Sequence, residues 1–242
     1  MGLCWRAHMV VPILAAETRR RNVGTMQDDD GFPSGLNPDC DFLLRSADEA
    51  ARLLLGCVLI RDMQGSRVRV RIVETEAYDQ DDPASHAFGG PSERNRALFG
   101  PAGHAYVYVS YGMHHCCNIT AGSNGFGAGA LIRAVEPLQG FEMMQSRRGK
   151  TGIEVCNGPG KLCQALDIDR RLYGHRLDEG PLMLERSRLR KGERIQRTPR
   201  VGISRARGCL RRFIIADNPY VSKVPKAIRE QALWDDETGG MA

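Results

Sequence analysis

The chain has 242 residues, which allows one large domain or two small ones. At 42% hydrophobic and 26% charged residues its composition is ordinary for a globular protein with a sizeable core, and no stretch approaches the length of a membrane span. The formal net charge of +5 is a mild basic excess that suits a polyanionic partner without specifying one.

Residues 1–38 read as a leader without periodicity, in which four arginines are balanced by Glu17, Asp28, Asp29 and Asp30. A short apolar run, Met9 to Ala16, contains Pro12 and is followed by arginines. The expectation is a disordered leader, or residues upstream of a true start such as Met26, rather than a secretion signal. The eight cysteines are irregularly spaced, and Cys116 and Cys117 are adjacent, so reduced thiols of an intracellular protein are expected.

The body starts near Cys40. Ser46 with Glu49 three residues on forms a capping-box pattern and predicts a helix through Leu53–Leu55, followed by a strand over 57–62. "MQGS" turns the chain into a strand over 67–78. Arg67, Arg69 and Arg71 share one parity and Val68, Val70 and Ile72 the other, so the apolar set is expected to face the core. That parity continues into Glu74, Glu76 and Tyr78. Buried carboxylates are costly unless partnered, and such violations mark functional sites. Glu74 reads as a structural ion-pair partner of an arginine such as Arg133, and Glu76, beside Tyr78, as the functional carboxylate. A structural role for Glu76 at a helix terminus stays open.

An acidic loop, 79–85, follows. "AYVYVSYGMHHCCNITAG" reads as strand, tight turn, strand, with Tyr106 and Tyr108 on one face and Gly112 suited to positive φ. Tyr111 is then either a solvent-facing tip or, if the turn lies elsewhere, core. His114, His115, Cys116 and Cys117 do not suit zinc, because adjacent strand residues point to opposite faces. A strand ending at Pro137, helices over 137–148 and 159–167, and late strands in "RRFIIAD" and "YVSKV" complete the body. "NGPGKL" is too short for a phosphate-binding P-loop, although Lys161 could still touch a phosphate. Turns join the strands more often than helices do, so an α+β fold with an antiparallel sheet is expected.

"RIVETEAY", "SHAFGGPSERNRALFG", "AYVYVSYGMHHCCNI", "LIRAVEP", "NGPGKLCQAL" and "PRVGI", in this order, resemble the alkyladenine (3-methyladenine) DNA glycosylase family over roughly 42–222. The resemblance implies a single α+β domain over 39–225, with a curved, largely antiparallel sheet, surrounding helices, a protruding β-hairpin and a tail over 226–242. It implies that Glu76 activates a water which attacks the sugar carbon of a flipped alkylated purine, leaving an abasic site, with Arg133 near that water. Tyr78 stacks on the base, His86 contacts its edge, and Tyr108 closes the aromatic clamp. Asn118 crowds the amino group of normal guanine, and Tyr111 fills the gap in the duplex. Arg94, Arg96, Lys161 and Arg200 border the implied pocket and are candidates for the DNA backbone.

Electron-rich rings suit a purine made cationic by alkylation. The five lysines lie far along the chain from the Glu76 strand, so hydrolysis without a Schiff base is expected. The expected partner is double-stranded DNA with damaged bases, met by a monomer in a bacterial cytoplasm, nucleoid-associated, with no membrane, obligate protein partner, cofactor or metal. A non-cleaving damage-binding protein and a metal-dependent base hydrolase are the alternatives. The sequence departs from the family at His114, where an aromatic is more usual, and at "RGCLRRF", which replaces a Pro-rich approach. Residues 168–197 match only loosely.

Overall fold

The computed structural model describes residues 38–63, 65–223 and 225–235, so the leader, but for residue 38, lies outside the described residues. Helix α1 (Ala47–Leu53) starts where the capping pattern put it: Ser46 Oγ accepts from the Glu49 N–H at 3.3 Å and donates to its carboxylate at 2.8 Å. Ala47, Ala50 and Ala51 are buried, and this small-residue face lets α1 lie close on the sheet.

The strands are β1 (Val58–Met63), β2 (Ser66–Asp79), β3 (Ala105–Ser110), β4 (His114–Thr120), β5 (Ala128–Gln139), β6 (Leu182–Glu185), β7 (Ile195–Thr198), β8 (Arg212–Ile215) and β9 (Leu233–Trp234). Among the described residues they form one antiparallel sheet in the order β3-β4-β5-β2-β8-β7-β9, with β1 and β6 extending from the first half of β2. Together with α2 (Phe141–Arg148), α3 (Pro159–Ala165) and α4 (Lys226–Arg229) this is the expected single α+β domain. No helix among the described residues is long and apolar enough to cross a membrane.

β2 holds the main correction to the sequence reading. The ladder with β5 slips between Ile72 and Glu74, leaving Val73 unmatched. Ile72 and Val73 both enter the core, so parity resets at this bulge. Beyond it Val73 and Ala77 continue the core face, and Thr75 Oγ1 donates to the Ala51 carbonyl of α1 at 2.7 Å. Glu74, Glu76 and Tyr78 therefore leave the helix-packed core. They share the opposite face of the sheet, the one that carried the arginines before the bulge.

Three further differences have local causes. β5 runs past Pro137 to Gln139, and α2 begins only at Phe141. Pro137 sits beside a register shift on a stretch of β5 with a single partner strand, a setting that tolerates a missing N–H. Gly140, at φ 78, turns the chain there, and a Cβ on it would meet Val68 Cγ2 at 2.8 Å. Residues 220–223 of "YVSKV" form no strand, because Ser222 spends its N–H and hydroxyl on Glu74 instead of on a ladder; residue 224 lies outside the described residues. Finally, part of the expected tail carries α4 and β9, which pairs with β7 while Asp235 bonds Arg52 at 2.5 Å.

Candidate active site

On the face opposite the helices, Glu74 and Glu76 are both fully buried, and their surroundings differ. Glu74 accepts from Arg133 Nε (2.9 Å), Arg212 Nε (2.7 Å), Ser222 Oγ (2.8 Å) and the Ser222 N–H (2.7 Å). Burial pushes its carboxyl up, but the charges of Arg133 and Arg212 and the bonds from Arg212 and Ser222 win and hold it below the ordinary range. Glu76 accepts from Tyr78 Oη (2.8 Å), Arg133 Nη1 (3.3 Å) and the Val201 N–H (2.8 Å). Burial, then the Glu76 charge, raises the Tyr78 phenol, so it stays protonated and donates.

Glu76 borders a cavity of about 730 Å³ walled by Tyr78, His86, Tyr106, Tyr108, Asn118, Leu131 and Arg133. β3 and β4 alternate as the sequence suggested. Ala105, Val107, Cys117 and Ile119 enter the core, while Tyr106, Tyr108, Cys116 and Asn118 face the cavity. The neighbours Cys116 and Cys117 therefore diverge. Tyr106 and Tyr108 stack with centroids 5.5 Å apart, and the His86 ring meets Tyr108 edge-on at 4.5 Å. His86 Nδ1 lies 2.9 Å from the Tyr106 hydroxyl. Burial, then Arg94, lowers the His86 pKa, so the ring is neutral near pH 7, while burial pushes Tyr106 up to about 12. Asn118 Nδ2 donates to the Tyr106 carbonyl at 3.0 Å.

At the cavity rim the β3–β4 turn resolves the two readings of Tyr111 in favour of the tip, since its ring is 85% exposed. Tyr111 (φ 50) and Gly112 (φ 70) are the central residues of a type I′ turn closed by Met113 N–H to the Ser110 carbonyl at 3.1 Å. Met113 is exposed beside it.

The four candidate backbone cations separate. Arg94 is exposed at the cavity, and Arg96 is exposed on the 3-10 turn after it. Lys161 is half-buried and donates to Asn157 at 2.7 Å. Arg200 does not reach the surface: it is 3% exposed and ion-paired with buried Asp82, so it is not placed to meet a phosphate. Arg205, absent from the sequence reading, is exposed and lines the cavity in its place, and Arg207 is exposed two residues on. Their only signal was the basic run after "PRVGI". The Val201 N–H had none, being a backbone donor, and Tyr106 was flagged only by its parity with Tyr108.

Comparison with known proteins shows the family. A family model for methylpurine-DNA glycosylase matches residues 41–219. The chain is 44% identical over 187 residues to a protein of Nitrosospira multiformis, covering 77% of this chain and 93% of that one. It is 43% identical to one of Carboxydothermus hydrogenoformans, covering 75% and 96%, and 44% identical to one of Methanoculleus marisnigri, covering 75% and 96%. All three carry the name "Putative 3-methyladenine DNA glycosylase".

Proposed function

The chain belongs to the methylpurine-DNA glycosylase family, a base-excision repair glycosylase, and from that premise we propose that it hydrolyses 3-methyladenine-type purines from DNA with Glu76 as general base. The supporting observation is access: Glu76 borders the cavity and Glu74 does not. A carboxylate oxygen offers about two acceptor sites. Glu76 Oε1 accepts only the Val201 N–H, so it has room for a water on the cavity side. That water's oxygen bonds the sugar C1′ and passes a proton to Glu76. The C1′–N bond breaks with its electron pair going to the purine, which leaves as a neutral base. Arg133 and the Val201 N–H fix the direction of the carboxylate.

The aromatic walls supply selectivity. Extruding a base costs about a few kcal/mol, and stacking returns about 1–3 kcal/mol per base. Tyr78 and Tyr108 take that stacking role, and a cationic purine gains further from their π faces. The buried Tyr106 phenol needs an acceptor, so it donates to His86 Nδ1 and leaves Nε2–H for the base edge. Asn118 crowds the amino group of guanine, Tyr111 fills the gap in the duplex, and Arg94, Arg96 and Arg205 meet phosphates. None of the lysines lines the cavity, which supports hydrolysis without a Schiff base and without strand cleavage. The enzyme acts as a monomer. Methylated duplex DNA tests the reading: the wild type releases free 3-methyladenine and leaves an alkali-labile but intact strand, and Glu76→Gln does not. A borohydride-trapped protein–DNA adduct would contradict the hydrolytic route.

A further inference from the structure

Arg200 has left the DNA surface for a place directly behind the pocket. Its guanidinium lies over the Tyr78 ring, 4.5 Å from the centroid, and Nη1 donates to the Ala77 carbonyl at 2.9 Å. Both nitrogens grip Asp82, Nη2 to Oδ1 at 3.0 Å and Nη1 to Oδ2. Asp82 is 5% exposed, accepts from the Ala84 N–H at 2.9 Å, and takes a second guanidinium, Arg211, at 3.2 Å. Tyr78 borders the cavity and Arg200 does not, so the ring has a base side and a cation side. The same short segment supplies the Val201 N–H to Glu76.

We propose that Arg200 is a positioning residue for Tyr78 and that its charge, set on the rear face of that ring and offset by Asp82, fixes how far the pocket prefers cationic over neutral purines. The proposal rests on the base-excision reading above. A planar guanidinium bonded to a main-chain carbonyl and a buried carboxylate cannot drift, so it sets the tilt of the ring it stacks on. A cation on one face of an aromatic ring also draws on the same π density that would attract a cation on the other face. Neutralising Arg200 leaves Asp82 and a richer ring, and this favours a positive base. Neutralising Asp82 leaves Arg200 less compensated and disfavours it.

Single-turnover excision from duplexes carrying 7-methylguanine, which is cationic, or hypoxanthine, which is neutral, tests this. Arg200→Gln should slow both reactions through the loosened ring while raising the charged-to-neutral ratio by about threefold or more. Arg200→Lys keeps the charge and should hold the wild-type ratio at a reduced rate. Asp82→Asn should lower the ratio, and it carries the test if Arg200→Gln does not fold. If the wild type excises only the charged base, equilibrium binding to the two duplexes supplies the ratio. Equal losses on both bases in Arg200→Gln and Asp82→Asn would reduce Arg200 to a packing residue and overturn the proposal, as would a lysine variant shifted as far as the glutamine one. If the wild type excises neither base but releases 3-methyladenine from methylated DNA, the same binding ratio carries the test; a wild type that releases no base at all would instead overturn the base-excision reading.

Discussion

Glu74 and Glu76 stand two residues apart, on one face and equally buried, yet their partners divide the work. Glu74 neutralises two buried guanidiniums, Arg133 and Arg212, and anchors the chain at Ser222. Removing its charge leaves those cations under-compensated, so Glu74→Gln should destabilise the fold by about 3–5 kcal/mol. Its folded pKa lies below the unfolded value. Its contribution is therefore fully present above the ordinary carboxylate pKa of about 4.3 and is lost as pH falls through the folded value. Thermal unfolding followed from pH 7 to 3 should show wild type losing its advantage over Glu74→Gln in that acid window; a constant gap would remove Glu74 from the linkage. The carboxylate pair and its arginine were legible in the sequence, because two acids at the end of an apolar run need a partner. That Arg133 would serve both, and that Arg200 would turn inward, were not legible: an arginine's partner is chosen by tertiary contact.

At the scale of elements, the bulge in β2 decides where the pocket is. Without the slip at Val73, the parity that buries Val68, Val70 and Ile72 would drive both carboxylates under α1. Strict alternation located the two buried carboxylates and assigned them the wrong face, because a one-residue bulge leaves no compositional trace. The β3–β4 alternation was legible because nothing interrupts it. Its turn carries a cost, since a tyrosine at φ 50 is strained by about 1–2 kcal/mol. Asparagine tolerates that conformation better. Tyr111→Asn should therefore leave the melting temperature unchanged or raise it while weakening the flipped state by about tenfold, the loss of about 1–3 kcal/mol of stacking. Tyr111→Phe should be nearly silent. Fluorescence of 2-aminopurine beside a bound lesion reports the flipped population; no difference between wild type and Tyr111→Asn would remove the wedge.

For the whole molecule, one face of the sheet holds the helices and the core, and the other holds the pocket with exposed arginines at its rim. Arg94 and Arg205 are exposed and line the cavity, and Arg96 is exposed two residues beyond Arg94. Each phosphate contact should add about 0.9 to the slope of log affinity against log salt. Neutralising all three should lower that slope by about 2–3 units. Affinity titrations at several salt concentrations check this, and an unchanged slope would place the DNA elsewhere. The central claim remains that Glu76 carries the chemistry while its neighbour Glu74 carries the fold. Single-turnover base release from methylated duplex DNA by folded Glu76→Gln and folded Glu74→Gln compares them directly. The account predicts that Glu76→Gln binds the DNA normally and loses nearly all excision, whereas Glu74→Gln, where folded, still excises. Near wild-type release by Glu76→Gln, with Glu74→Gln folded and inactive, would contradict it.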